Sequence, residues 1–390
     1  MRWERMKFAG LVYGVALLCG CGGSSATGST GSTSTTQTTA PTVVPVTNSK
    51  LQNGAVMVTL ANAESGAQIY YTVDGSTPTV SSAKYLAPFI VASNITVKAI
   101  AQNGAETASS VASQSFTANI TAGTLVWSDE FANTTGSNAQ PDTAVWTYQT
   151  GSDVNSSVDI HCAYGSSASP CSTSYPNTYV GTDGYLHIIA QQPTSGVYTS
   201  ARMQTNGLFS FQYGRLEARI LVPEGQGIWP AFWLEGNNSA TVGWPGCGEM
   251  DVMERINVAG VPPTGTQSNP PVGTSDWNEG SVHGTGFTGG NLGGVYDFTG
   301  GATAAGWHTY GMIKTANSIT YYIDDPTKPY VTFTPSSIAS LTGSVWPFDN
   351  GQANFLILNI AVGGSWPGAP TASTVFPSEM LVDYVRLYSN

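Results

Sequence analysis

Charged side chains are scarce in this chain of 390 residues. Asp, Glu, Lys and Arg together make up only 9% of the sequence, against about a quarter in an average soluble protein. The formal net charge is -11, from 13 basic and 24 acidic residues. This balance argues against a nucleic-acid partner, which requires a basic surface. The small number of Lys and Arg residues also argues against a strongly sulfated polysaccharide as substrate.

Two further patterns are missing from the sequence. No segment keeps a sustained apolar period of 3.6 residues, so long amphipathic helices are not expected. The apolar run from Phe8 to Leu18 is too short to cross a bilayer. Gly (45 residues), Ser and Thr take the place of the charged residues, and such a composition favours strands and turns. We therefore expect an all-β protein.

The N-terminus is typical of an export signal. Arg2, Arg5 and Lys7 precede the apolar run, which ends in Leu18-Cys19-Gly20-Cys21. This ending resembles a bacterial lipobox, and the resemblance implies that residues 1–21 are a lipoprotein signal and that Cys21 is lipidated. An ordinary secretory signal with a chance cysteine is the alternative. We expect export and anchoring at the bacterial cell envelope, at the outer membrane or cell surface, with the lipid as the only membrane contact.

Three cysteines remain outside the signal. Cys162 and Cys171 lie nine residues apart in a polar loop, and in an exported protein such a pair predicts a disulfide. Cys247 is then left over, and we expect it to be a small buried apolar residue. No spacing of His and Cys suggests a zinc site.

Composition divides the rest of the chain into three parts. Residues 22–40 are rich in Gly, Ser and Thr and predict a flexible linker. Residues 41–118 predict a small β-module. Residues 122–390 contain nine of the ten Trp and all four His, and alternate short apolar stretches with turns. This last part predicts one large domain of two stacked sheets with a cleft on one concave face.

The small module carries a recognisable pattern. Gln68-Ile-Tyr-Tyr-Thr-Val-Asp-Gly-Ser-Thr-Pro78 resembles the β-sandwich module at the C-terminus of chitobiases and hexosaminidases. The resemblance implies an Ig-like β-sandwich. It leaves both a spacer role and a carbohydrate-binding role open, because a fold of this kind does not define a function.

Three acids lie close together in Gly248-Glu-Met-Asp-Val-Met-Glu254. Side chains alternate between the faces of a strand, so Glu249 and Asp251 share a face, whereas Glu254 would point the other way. One extra residue, a β-bulge at Val252 or Met253, brings all three acids to one face. Bulges are frequent beside active sites, so we predict one here.

Such a group of acids suits the hydrolysis of a glycosidic bond. Retention of configuration requires an ionised nucleophile and a protonated acid/base. An acid between them can hydrogen-bond the nucleophile. A solvated acidic face or a calcium site is the alternative, but the nearby Trp229, Trp233 and Trp244 are unusual companions for either.

The acid motif resembles the signature of glycoside hydrolase family 16, in the form with one extra residue that laminarinases carry. Further stretches follow in family order: Trp127-Ser-Asp-Glu-Phe131, Tyr213-Gly-Arg-Leu-Glu-Ala-Arg219, Gly227-Ile-Trp-Pro-Ala-Phe-Trp233, Trp244-Pro-Gly-Cys-Gly, Val282-His-Gly-Thr-Gly-Phe, Trp346-Pro-Phe-Asp, Leu358 to Trp366 and Asp383-Tyr-Val-Arg-Leu-Tyr388. The resemblance implies a concanavalin-like β-jelly-roll sandwich. It also implies endo-hydrolysis of β-1,3-glucan with Glu249 as nucleophile, Asp251 as its assistant and Glu254 as acid/base.

The resemblance also implies a set of substrate-binding residues. His283 matches a histidine near the acid/base, and Trp229, Trp233 and Trp366 would stack on sugar rings. For Trp229, core packing is the alternative. The remaining members of the set are Arg202, Asn206 and Trp244.

No cofactor is expected for catalysis, but many family members hold a structural calcium far from the cleft. The matching positions are Glu130, Gly184 and Asp383, and oxygen donors of this kind suit calcium. One position departs from the family, since Lys314 stands where a tryptophan is usual. This substitution leaves the packing around it in question.

Other activities stay open. A mixed-linkage β-1,3-1,4-glucanase or an agarase-like enzyme would use the same acids, and a transglycosylase would intercept the same glycosyl-enzyme with a sugar. A protein that only binds glucan is disfavoured, because all three acids are present. We expect a monomer whose partner is the β-glucan polysaccharide.

Overall fold

The computed structural model describes residues 36–152, 157–256, 277–298 and 305–390. The signal and Cys21 lie outside these ranges. Residues Gln37–Asn390 form one compact unit. No helix in the described ranges is long and apolar enough to cross a membrane.

The small module consists of two short sheets. Its strands are β1 (Thr42–Val46), β2 (Val56–Ala61), β3 (Gln68–Thr72), β4 (Ala83–Lys84), β5 (Phe89–Val91), β6 (Ile95–Gln102) and β7 (Ala112–Phe116). One sheet has the order β1-β2-β5 and the other β4-β3-β6-β7. Their facing apolar side chains form a separate core, as in a sandwich. The β-sandwich expected for this module is confirmed.

The large domain contains the remaining strands. They are β8 (Leu125–Asp129), β9 (Thr147–Tyr148), β10 (Gly151–Ser152), β11 (Asp159–His161), β12 (Thr178–Val180), β13 (Leu186–Thr194), β14 (Val197–Ser200), β15 (Arg202–Gln204), β16 (Gly214–Leu221), β17 (Ile228–Gly236), β18 (Glu249–Glu254), β19 (Trp277–His283), β20 (Gly293–Asp297), β21 (Trp307–Lys314), β22 (Ile319–Ile323), β23 (Val331–Phe333), β24 (Asn354–Val362) and β25 (Ser378–Tyr388). Among the described residues, helical structure is limited to α1 (Ser239–Val242) and two 3-10 turns, Gly289–Leu292 and Pro335–Ile338.

These strands form two stacked sheets, as the sequence predicts. One sheet follows the order β10-β11-β14-β13-β25-β16-β21-β22-β23, and in addition β12 pairs with β13 and β8 pairs with β25. The other sheet follows the order β20-β19-β18-β17-β24-β15-β9. Strand β24 shows how the second sheet is built. Leu356 and Leu358 enter the core between the sheets, whereas Phe355 and Ile357 pack on the opposite face. This second face of the seven-stranded sheet carries the acids and is called the cleft face below.

The small module packs into the large domain. Ala55 and Met57 belong to the same buried cluster as Trp127. The backbone N–H of Ile90 donates to the carbonyl of Ser210 at 3.1 Å. Polar and apolar contacts therefore join the module to the large domain in one compact unit. A carbohydrate-binding role for the module stays a prediction.

The predicted linker ends earlier than expected. Gln37 forms a bridge with Thr107, and the backbone N–H of Thr38 donates to the carbonyl of Thr107 at 3.0 Å. Thr38 is also buried and its hydroxyl donates to Glu106. The prediction that the flexible segment runs to residue 40 is therefore wrong, because these hydrogen bonds tie residues 37 and 38 to the module.

Candidate active site

A β-bulge brings the three acids of β18 to one face. Against β17, Trp233 is opposite Asp251 and Phe232 is opposite Met253, which leaves Val252 without a partner. The pairing with β19 shifts in the same interval. The prediction of a bulge is confirmed, with Val252 as the extra residue. Met250, Val252 and Met253 all enter the core.

Strand β19 lines the acids with polar side chains. The register pairs Glu249 with His283, Asp251 with Ser281 and Glu254 with Glu279. The Ser281 hydroxyl donates to Oδ2 of Asp251 at 2.6 Å, and Nε2 of His283 lies 3.1 Å from the same oxygen. Asp251, only 2% exposed, is thus held from two sides.

The carboxyl of Glu249 is held by a hydrogen bond and lies beside a positive charge. Nε1 of Trp244 donates to Oε2 of Glu249 at 2.8 Å, and Nε2 of His283 lies 3.6 Å from Oε1. Burial and the charge of Asp251 raise the pKa of Glu249 well above its usual range, while His283 lowers it. A positive neighbour therefore opposes the cost of ionising this acid.

His283 supplies that positive charge. Burial lowers the pKa of His283, but the hydrogen bond to Asp251 and the charges of Asp251 and Glu249 outweigh it and raise the pKa to about 9. The imidazole is consequently protonated at neutral pH. The prediction that His283 lies near the acid/base is wrong, because the antiparallel register places it opposite Glu249, at the other end of the acid row.

Glu254 has a different environment. Nε1 of Trp229 donates to Oε1 of Glu254 at 2.9 Å. Burial and the charges of Asp251 and Glu279 raise the pKa of Glu254 well above its usual range. Negatively charged Glu279 lies opposite Glu254, whereas positively charged His283 lies opposite Glu249. Of these two catalytic candidates, we therefore infer that Glu254 holds the proton. The two ends of the strand thus differ in the way that a nucleophile and an acid/base require.

A group of tryptophans lies beside Glu254. Trp229 and Trp366 meet edge to face with ring centroids 5.3 Å apart, and Trp277 lies 6.2 Å from Trp366. Trp229 and Trp366 are only partly buried, so they can present ring surface to a sugar. The contact of Trp229 with Glu254 also gives it a place in the site beyond core packing. Trp277 was not predicted, because its position on β19 becomes evident only from the strand pairing.

Trp233 and Arg202 form part of the cleft floor. The guanidinium of Arg202 lies over the ring of Trp233, 4.5 Å from its centroid, and Nε1 of Trp233 donates to Oδ1 of Asn359 at 2.7 Å. Trp233 is buried. This geometry contradicts the prediction that Trp233 offers an open face to a sugar ring, since Arg202 covers it. A sugar-binding role for Arg202 stays a prediction.

The other predicted cleft residues are exposed. Trp244 is 54% exposed while its N–H reaches Glu249, so its ring borders the cleft beside Glu249. Asn206 is exposed in the turn after β15, and its contact with substrate stays a prediction.

The predicted calcium positions lie along one edge of β25. Val385 pairs with Asp129 on β8, and Val382 pairs with Leu186 on β13, so Glu130 and Gly184 flank Asp383 along that edge. Two backbone carbonyls and one carboxylate suit calcium. Oδ2 of Asp383 already accepts from Arg219 at 2.7 Å, which leaves the other oxygen. The donor chemistry fits, and calcium stays a prediction.

Lys314, which stands where the family resemblance implies an aromatic residue, is fully buried. Its Nζ donates to the carbonyls of Gln212 at 2.8 Å and Phe348 at 3.0 Å, and lies over the ring of Tyr213. Burial lowers the pKa of Lys314 to about 7. Phe348 in turn packs against Gly248, the residue before Glu249. The substitution is therefore accommodated by specific partners.

The cysteines follow the sequence prediction. Cys162 and Cys171 form a disulfide. Cys247 is free and buried. Burial, with the charges of Glu235 and Glu249, raises the pKa of its thiol to about 12, so it is an inert apolar residue at neutral pH.

Comparisons with known proteins agree with this geometry. The model of the chitobiase/beta-hexosaminidase C-terminal domain matches residues 47–113, and the model of glycosyl hydrolases family 16 matches residues 165–385. Glucan endo-1,3-beta-glucosidase A1 of Niallia circulans is 33% identical over 68% of this chain, and the match spans 37% of that protein. A beta-glucanase of Rhodothermus marinus is 33% identical over 68% of this chain and 84% of its own length.

A solved structure shows the same relationship. The laminarinase catalytic domain of Thermotoga maritima has 32% sequence identity and a TM-score of 0.55, covering 68% of this chain and 98% of its own. The bulged acid strand, the two stacked sheets and the family match over more than half of the sequence lead to one conclusion: the chain belongs to glycosyl hydrolases family 16.

Proposed function

We propose that the chain is a retaining endo-hydrolase of β-1,3-glucan of the laminarin type. The observation that carries the proposal is the row of three acids on the cleft face, with Val252 bulged out and unlike environments at the two ends. The names of the similar proteins, a glucan endo-1,3-beta-glucosidase, a beta-glucanase and a laminarinase, support this substrate class.

The geometry suggests how the reaction proceeds. Glu249, held by Trp244 and beside protonated His283, attacks the anomeric carbon as its carboxylate. Glu254 donates its proton to the leaving oxygen, and a glycosyl-enzyme ester forms at Glu249. Glu254, now ionised, then accepts a proton from water that attacks the same carbon and frees Glu249. Asp251 accepts a hydrogen bond from Ser281, lies beside the positive charge of His283, and stabilises the position of the nucleophile throughout.

A substrate panel tests the proposal. The protein is incubated separately with laminarin, lichenan, agarose and carrageenan, and the products are sized over time. We expect rapid release of short oligosaccharides from laminarin, because the acids and their tryptophan surroundings match the laminarinase form. Cleavage of agarose or carrageenan without cleavage of laminarin would reject the substrate class.

The same panel separates the alternatives. Faster release from lichenan than from laminarin indicates a mixed-linkage glucanase, and products longer than the starting chains indicate transglycosylation. A Glu249→Gln sample serves as the control for contaminating activities.

We also propose that the protein is lipid-anchored at the cell envelope through Cys21. The supporting observation is the Leu18-Cys19-Gly20-Cys21 sequence after a short apolar run. We expect the full-length protein to fractionate with membranes when expressed in a bacterial host, and Cys21→Ser to release it. Continued membrane association of the variant contradicts the anchor.

A structural calcium at Glu130, Gly184 and Asp383 is proposed on the donor chemistry described above. A bound ion stabilises the folded state by mass action. We expect added calcium to raise the melting temperature of the chelator-treated protein, and Asp383→Asn to remove that response. An unchanged melting temperature in the wild type argues against the site.

A further inference from the structure

Strand β19 contributes a fourth acid, Glu279, that the reaction described above does not use. Side chains at alternate positions of a strand share a face. Ser281 and His283 both reach the carboxylate of Asp251, so the face shared by residues 279, 281 and 283 is the one that borders the catalytic acids. Glu279 therefore lies in the same row of polar side chains.

The register places Glu279 directly opposite Glu254. Directly opposed residues of an antiparallel pair have Cβ atoms about 4.5–5.5 Å apart. Glu279 is only 3% exposed, and its Oε2 has no hydrogen-bond partner among the described residues. Two carboxyls this close, both shielded from water, cannot both ionise without a large like-charge cost.

The groups around Glu254 and Glu279 do not remove the like-charge cost of ionising both carboxyls. Asp251 adds a second negative charge from the strand of Glu254 itself, and His283 supplies positive charge toward the Glu249 end of the row. Tyr321 and Tyr330 lie on the opposite, core-facing side of β19, and burial raises the pKa of both so that they stay neutral. Burial and the charge of Asp251 raise the pKa of Glu279 to about 7.

We propose that Glu279 is a positioning residue that keeps Glu254 protonated, the two carboxyls titrating as a pair, and that it thereby sets the upper pH limit of turnover. The inference rests on the proposed function, since it requires Glu254 to be the acid/base. When Glu279 is charged, ionising Glu254 places two negative charges side by side. With a neutral amide at position 279 this cost disappears, and Glu254 loses its proton at a lower pH.

The test is the pH dependence of kcat/KM on laminarin for the wild type, E279Q and E279D. We expect the alkaline limb of E279Q to move down by about one pH unit, with the acidic limb unchanged. E279D keeps the charge, so its alkaline limb should lie closer to that of the wild type. Glu106→Gln, the same chemical change in the small module, should leave the profile as it is.

Two outcomes overturn the inference. One is an alkaline limb of E279Q that coincides with that of the wild type, including the case in which only KM changes, as a sugar-binding role would produce. The other is an E279D profile shifted as far as that of E279Q. If E279Q folds but turns over too slowly, the carboxyl carbon of Glu254 is titrated by NMR in the 13C-glutamate protein, with the same expected shift.

A second substrate separates this inference from the proposed function. An aryl β-laminaribioside with an activated leaving group needs no proton from the enzyme, so its alkaline limb should be lost if Glu254 is the acid. A limb that persists on this substrate rejects Glu254 itself. A limb present only on laminarin, and unmoved by E279Q, rejects only the role of Glu279.

Discussion

Glu249→Gln should reduce kcat on laminarin by roughly 10⁴-fold or more, a loss of the order that follows removal of a nucleophile that acts as part of a unit. The amide keeps the shape and the contact with Trp244 but cannot form the glycosyl ester. His283 loses one of its neighbouring carboxylates, but the amide fills the same space. We therefore expect the fold to persist, and circular dichroism verifies it. Steady-state kinetics on laminarin measure the effect.

The Glu249→Ala variant, in which the side chain is shortened, gives a more specific test of the nucleophile. It opens space where the nucleophile stood, so azide can attack from that side and yield a glycosyl azide of inverted configuration. NMR of the product reads its anomeric configuration. Glu106→Gln in the small module should retain full activity as the matched control. Near-normal turnover of Glu249→Gln, or an azide product of retained configuration from Glu249→Ala, would contradict the nucleophile assignment.

Glu254→Ala should lose on the order of 10²–10⁴-fold on laminarin, the range that general acid–base catalysis contributes. The loss should be much smaller on an aryl laminaribioside with an activated leaving group, because the first step then needs no proton. On this aryl substrate, azide should restore turnover by attacking the glycosyl-enzyme. Because Glu249 has already inverted the anomeric carbon once, the azide product has retained configuration.

The two alanine variants therefore form a matched pair with opposite stereochemical outcomes. If both gave the same azide product, the assignment of roles along β18 would be wrong. Trp229→Phe offers a milder comparison, since it removes the N–H that Glu254 accepts at 2.9 Å and keeps most of the ring. We expect it to lower activity less than Glu254→Ala.

Much of the fold follows from the sequence because its signals are local. The period of two, the turn residues and the shortage of charge predict strands, and strands make up both described β-parts of the chain. Glu249, Asp251 and Glu254 can share one face only if the strand holds an extra residue, and the structure contains one at Val252. Motif spacing was sufficient here because all three acids lie on one strand.

The neighbours of the acids were harder to predict, because strand pairing joins positions far apart in the chain. Glu279 lies opposite Glu254 only through the register of β18 and β19, and no local pattern marks it. Resemblance placed His283 near the acid/base, whereas the antiparallel register puts it opposite Glu249. Arg202 covers the ring of Trp233 from a strand two places away in the sheet. The sequence alone does not predict this contact.

The sequence by itself determined the all-β class, the two β-parts of the chain, the Cys162–Cys171 pair and the bulged row of catalytic acids, because each depends on residue type and short-range spacing. Only the tertiary structure decided how the surroundings of the two ends of that row differ. That difference comes from His283 and Trp244 beside Glu249, and from Trp229 and Glu279 beside Glu254. Charges act through space, and the distances that govern them are set by strand register and burial rather than by order along the chain.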